Sequence, residues 1–208
     1  MSQGWKTLDP RNPLRAFIMV VLITMSWPWP VLAAGPQARI REILESASAV
    51  IHDPQLQGPQ NEGERKQRVR QIIFAAFDFG EMARAALRPY WEKLTPEQQA
   101  EFVSLFGDAF ERSYNAMVLR FLPERDVEYG AETITQDRAV VRTTLVVRRT
   151  NARLPVDYHL LEKDQRWSVY DVVVDGISLG QNYRAQFDRI IRSSSYDELV
   201  RRMKSKKE

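Results

Sequence analysis

Few residues in this chain have the type and spacing to carry out chemistry. It holds 2 histidines, His52 and His159, and no cysteine. Without cysteine there are no disulfides, thiolate metal sites, Cys nucleophile or cysteine-linked lipid anchor. His52 falls near a helix end, where an imidazole meets free carbonyls. His159 alternates outward from Val156, Tyr158 and Leu160, the pattern of a solvated side chain rather than a base. Metal-ligand spacing, a Gly-rich phosphate loop and a Gly-x-Ser-x-Gly elbow are all missing. Asp78 and Glu81 stand three apart and could pair, but a helix cap explains them more simply. No metal, cofactor or catalytic residue is expected.

Asp171 is the residue that most needs an explanation. Simple alternation puts it on one face with Trp167, Val169 and Val173. A carboxylate on an apolar face is costly unless partnered. Two readings compete. Asp171 either fixes the sheet to a helix, through Arg184, Tyr183 or Tyr114, or serves as base of a small-molecule isomerase or dehydratase in a cone-shaped α+β fold. The first is favoured, because buried carboxylates normally have partners and no orienting histidine is evident. Arg142, Arg148 and Arg149 project from the same strand region. A solvated face is the default, and a cationic rim able to grip phosphate is the alternative.

The elements that must position these residues are legible from periodicity. Ile40, Ile43, Leu44, Ala47, Val50 and Ile51 give one apolar face of a helix over 37–53. A loop rich in Pro, Gly, Gln and Asn follows, then a helix from near Glu64 carrying Val69, Ile72, Ile73 and Phe77, and a short helix from Glu81 to Leu87. Thr95, Pro96 and Gln98 form a capping box for a helix running to about Leu122. Its face holds Phe102, Phe106, Phe110, Met117 and Phe121, a stripe that by itself reads as core.

After Pro123 the period changes to two. Val127 and Tyr129, then residues 139–148, 154–160 and 167–174, read as an antiparallel meander of about four strands. Pro155 points to a strand start or an edge. Asp175-Gly176 breaks the last strand. Leu179, Tyr183, Phe187, Ile190 and Ile191 mark another helix, and Ser195 with Glu198 caps a final short one. The class is α+β: N-terminal helices on a twisted antiparallel sheet with C-terminal helices, one domain.

The first residues have a different character. Lys6, Arg11 and Arg15 precede the apolar run Ala16 to Met25, and Pro28 and Pro30 precede Val31 and Ala33. This is the order of a cleavable export signal over 1–33, with a mature domain over 34–208. That segment carries three basic residues against Asp9, two of the chain's three net positive charges. The remainder is close to neutral, which argues against nucleic acid. Export without cysteine fits a bacterial periplasm.

Three patterns now combine: Phe77-Asp78-Phe79, Leu94-Thr95-Pro96-Glu97-Gln98, and Trp167-x-x-Tyr170-Asp171 followed by Gly176-x-Ser178. In this order the chain resembles the MlaC family of periplasmic phospholipid-binding proteins, over roughly Ile40 to Met203. Hopanoid-associated and solvent-tolerance members belong to the same family. The resemblance implies a monomeric carrier, not an enzyme. It would move phospholipid between an outer-membrane lipoprotein/porin complex and an inner-membrane ABC lipid transporter complex, maintaining outer-membrane lipid asymmetry. It also implies acyl chains held in an apolar pocket between sheet and helices. Helical period and strand parity then assign tail contacts to Phe106, Phe110, Met117, Val141, Leu145, Val156, Tyr158, Val169 and Val173, with Arg142 for the head group. These assignments change face if parity slips by one residue.

Overall fold

The computed structural model describes residues 35–121 and 125–205, with side chains for all of these except 114–121. Four helices come first: α1 (Pro36–His52), α2 (Glu62–Ala76), α3 (Phe79–Ala86) and α4 (Pro96–Phe121). The strands β1 (Arg125–Thr135), β2 (Arg138–Val147), β3 (Arg153–Lys163), β4 (Arg166–Val174) and β5 (Ile177–Ser178) follow, then α5 (Leu179–Ser193) and α6 (Tyr196–Ser205).

Helix starts follow the cap chemistry. At α4, Gln98 N–H donates to Thr95 Oγ1 (3.3 Å) while Thr95 N–H donates to Gln98 Oε1 (2.9 Å), a reciprocal box. Asp78 caps α3, accepting from Glu81 N–H at 2.8 Å, and Ser195 accepts from Glu198 N–H at 3.1 Å ahead of α6. Each such cap is worth about 1 kcal/mol. The α1 end behaves as its histidine suggested: His52 Nδ1 lies 2.9 Å from the Ser48 carbonyl oxygen.

The sheet is antiparallel throughout, in the order β1-β2-β3-β4-β5. It has five strands rather than about four. The added strand arises at Asp175-Gly176, where φ is +50° and +77°. Two left-handed residues in succession make the hairpin turn whose twist suits paired strands, so the chain folds back and Ile177 pairs with Val174 before α5 begins. Pro155 stands near the start of β3, an interior strand, and not at an edge. The outer side of β4 is shielded twice: by β5, and by Asp78 N–H donating to the Val169 carbonyl (2.8 Å) where Phe77 bridges Val169.

A β-bulge decides which β4 residues face inward. His159 pairs with Asp171 and Leu160 with Val169, leaving Tyr170 as the extra residue. Directly opposed residues share a face. Val156, Tyr158 and Leu160 therefore share theirs with Val174, Val172 and Val169. Strict alternation fails beyond the bulge: Val172 is buried with the sheet core, while Asp171 and Val173 lie on the opposite face.

Two apolar clusters result. The larger joins the helices, with Val69, Ile73, Met82, Leu87, Phe102, Phe106, Phe110, Phe187, Leu199 and Met203 among its buried members. The smaller sets Ile40 of α1 against Val141, Val156, Tyr158, Leu160, Trp167, Val169 and Val172 of the sheet. Phe77 and Leu179 pack against both.

Candidate functional site

A cavity of about 610 Å³ lies between α4, α5 and α6. Its size is that of ligand sites, which run from about 300 to 1,000 Å³. The floor is apolar and deeply buried: Phe110, Phe187, Leu199 and Met203. Ala109, Leu179, Tyr183 and Ile190 form the half-buried sides. Arg112, Ser113, Asn182, Gln186, Arg202 and Ser205 are exposed around the rim.

Helical period explains the wall. Leu179, Tyr183 and Phe187 recur at four-residue steps and Ile190 three later, so α5 turns one apolar stripe inward. Leu199 and Met203 do the same from α6, four apart. Aromatic rings back the stripe. Phe106 meets Tyr183 edge-on with centroids 5.1 Å apart, and Phe187 meets Phe102 at 5.6 Å. Phe110 continues the stack to Phe77 (5.1 Å) and Phe79 (5.6 Å). These contacts fix ring orientations, because aromatic pairs favour edge and offset geometries.

Asp171 holds the start of α5. Its Oδ1 accepts from Gly180 N–H and Val172 N–H, both at 2.9 Å, and its Oδ2 from Ser178 O–H at 2.5 Å. Ser178 in turn caps α5, accepting from Gln181 N–H at 3.0 Å. The carboxylate is thus an anchor between sheet and helix, through Gly180 and Ser178 rather than Arg184 or Tyr183. Tyr114, the third partner considered, lies outside the described side chains. Three donors fill three of the roughly four acceptor sites of the carboxylate.

The other acidic pair is also structural. Asp78 caps α3 and receives Lys163 Nζ at 2.6 Å. Glu81 is bridged by Arg84 (3.0 Å) and Arg138 (3.2 Å), and Arg138 stacks over Tyr170 at 4.7 Å. Burial raises both carboxyls. Lys163 and the Glu81 and Gly80 amides on one side, and Arg84 and Arg138 on the other, outweigh it and hold both below the usual carboxylate range.

The residues expected to touch a ligand are distributed as follows. Phe110 lines the cavity. Phe106 is fully buried in the helical cluster. Val141, Val156, Tyr158 and Val169 are buried in the sheet cluster, with Leu145 packed against it. Val173 is on the far face, for the reason given by the bulge. Met117 lies outside the described side chains. Arg142 is exposed opposite Asp157, its Nη1 donating to Thr133 Oγ1 at 3.3 Å. The apolar face of α6 was missed as cavity wall; its signal was the four-residue step from Leu199 to Met203 behind the Ser195 cap.

Among the described residues, no cluster of His, Cys, Asp or Glu could hold a metal ion, and no helix is long and apolar enough to cross a membrane.

Known proteins are similar to this chain in fold or in sequence. A solved structure of a phospholipid-binding protein from Ralstonia solanacearum, in complex with a phospholipid, superposes with a TM-score of 0.70 at 25% identity, over 83% of this chain and 96% of that one. The toluene tolerance protein ttg2D of Pseudomonas putida is 30% identical over 115 residues, 52% of this chain, and the alignment spans 50% of that protein. The profile of the MlaC protein family matches residues 41–205, nearly all of the described fold, and the chain therefore belongs to the MlaC family.

Proposed function

We propose that this chain is a periplasmic phospholipid carrier that receives lipid from one membrane complex and delivers it to another. The observation that carries the reading is the cavity between α4, α5 and α6, apolar in its floor and polar at its rim, in a fold similar to that of a protein solved with a phospholipid. The physical need is large. Two acyl tails of about 30 methylenes in total would cost roughly 24 kcal/mol to expose to water. An apolar cavity removes most of that barrier. Because bilayer and cavity are both apolar, transfer is near neutral and partner complexes set its direction.

In this proposal residues 1–33 direct export and are removed after Ala33. The partners are an inner-membrane ABC lipid transporter and an outer-membrane lipoprotein/porin complex. The tails enter against Phe110, Tyr183, Phe187, Leu199 and Met203. Solvent extraction of the purified mature protein followed by mass spectrometry tests the reading. Co-purified phospholipid, and uptake of labelled phospholipid from vesicles, are expected. A protein that carries no lipid and takes none up would overturn it.

A further inference from the structure

The rim of the cavity is chemically one-sided. It carries two guanidinium groups, Arg112 and Arg202, with Ser113 and Ser205 each one to three residues away, and no carboxylate among its described residues. The two arginines differ. Arg202 Nε donates to Glu198 Oε1 at 2.6 Å, and Glu198 also receives Arg201. Those two guanidinium contacts hold the Glu198 carboxyl low, so the guanidinium of Arg202 is already engaged by a carboxylate that it shares with Arg201. Arg112, exposed on α4, has no ion pair or hydrogen bond within the described residues. Elsewhere the long cations of the fold are mostly spent: Arg70 on Glu111, Arg138 on Glu81, Lys163 on Asp78 and Lys204 on Glu101.

An uncommitted guanidinium beside an apolar cavity is suited to a ligand that joins a hydrocarbon tail to an anion. Arginine presents paired N–H donors that match two phosphate oxygens. All phospholipids carry that phosphate, so the phosphate alone does not discriminate. The second charge of the head group does. A zwitterionic head brings an ammonium, which would sit beside the charge of Arg112, while Glu198, the carboxylate at Arg202, is already taken by two guanidiniums. A head of net negative charge brings no such conflict. Specificity here comes from repulsion of the wrong ligand as much as attraction of the right one.

Resting on the carrier reading above, the geometry points to Arg112 as a selectivity residue that makes the cavity prefer phospholipids with net-anionic head groups over zwitterionic ones. Ser113, the next residue, already donates its O–H to the Ala109 carbonyl at 3.2 Å, so Arg112 carries the head-group contact by itself.

Delipidated mature protein is mixed with vesicles of phosphatidylglycerol or of phosphatidylcholine with matched acyl chains, and bound lipid is counted by native mass spectrometry. The wild type is expected to favour phosphatidylglycerol by roughly tenfold, the size of one charge-assisted contact. Arg112→Gln is expected to bring the two lipids to near parity, and Arg112→Lys to restore part of the preference. Arg149→Gln, which removes the same charge outside the described cavity wall, is expected to keep it. Inorganic phosphate at millimolar concentration is expected not to compete, since without tails it gains nothing from the floor. Equal loading of both lipids by the wild type would overturn this inference and leave the carrier reading intact. Loading of neither would overturn both. Competition by free phosphate would reassign Arg112 to a simple anion site.

Discussion

Gly180 and Asp171 meet so closely that a side chain at 180 would press on the carboxylate. The Gly180 amide donates to Asp171 Oδ1 at 2.9 Å, and a Cβ on residue 180 would stand 3.2 Å from the same oxygen. The contact joins the end of the sheet to the first turn of α5, the helix that supplies one wall of the cavity.

Removing that carboxylate strands three donors. Asp171→Ala is expected to lower stability by about 2–4 kcal/mol, and Asp171→Asn by less, because one acceptor oxygen survives. Urea unfolding followed by circular dichroism checks the order. The carrier reading adds that both variants still bind lipid wherever they remain folded, which an uptake assay measures.

Phe106 and Ala109 separate packing from cavity. Phe106 is fully buried against Phe102, Phe110, Tyr183 and Phe187, so Phe106→Ala is expected to cost about 3–5 kcal/mol. Ala109 borders the cavity, so Ala109→Trp projects into space that holds no side chain of the described residues. Its melting temperature is expected to stay near wild type while lipid uptake falls several-fold. A melting scan and vesicle uptake on the same samples decide it.

Acid should loosen the junction of α3 with the sheet. Asp78 and Glu81 are held below their ordinary values of about 3.9 and 4.3. A depressed carboxyl stabilises the fold fully above its unfolded value, and that contribution is lost as pH falls through its folded value. Stability is therefore expected to be flat above about pH 5 and to decline below pH 4. Asp78→Asn and Glu81→Gln each flatten the decline, as denaturant titrations at stepped pH would reveal.

The bulge yields a sharper test. Tyr170→Ala removes the ring under Arg138 and is expected to cost about 1–2 kcal/mol. Deleting Tyr170 removes the extra residue and leaves Asp171 opposite His159 and Val172 opposite Tyr158, each on the face it already occupies. That deletion is expected to leave the fold intact and to cost about 1–2 kcal/mol, as the loss of the ring does. A deletion that prevents folding would mean that the bulge itself, beyond the pairing on either side of it, is needed to fit β4 to β3.

Tyr170 also marks where the sequence stopped being legible. Caps at Thr95, Asp78 and Ser195 announce themselves by residue type, because a side-chain oxygen must meet free amides. Apolar stripes on α1, α4 and α5 follow from a fixed helical period. Alternation in β2 and β3 held for the same reason. A bulge has no composition of its own: Tyr170 and Asp171 read as ordinary alternating residues, and only pairing with His159 shows that one is extra. The two-residue strand β5 is likewise too short to have a period. A pocket between sheet and helices was expected from the resemblance, but the cavity's place escaped, because it is space between three helices and the apolar part of α6 that lines it is Leu199 and Met203 alone among the described residues.

The division of the interior into two clusters that share contacts with Phe77 and Leu179 has a consequence for motion. Each cluster can act as its own cooperative unit. The helical layer can loosen while the ladder of β2, β3 and β4 keeps its amide protons, so hydrogen exchange should fall into two tiers with Phe77 and Leu179 at their boundary. On the carrier reading, a protein built this way can widen the cavity and reseal it without dismantling the scaffold that restores its shape.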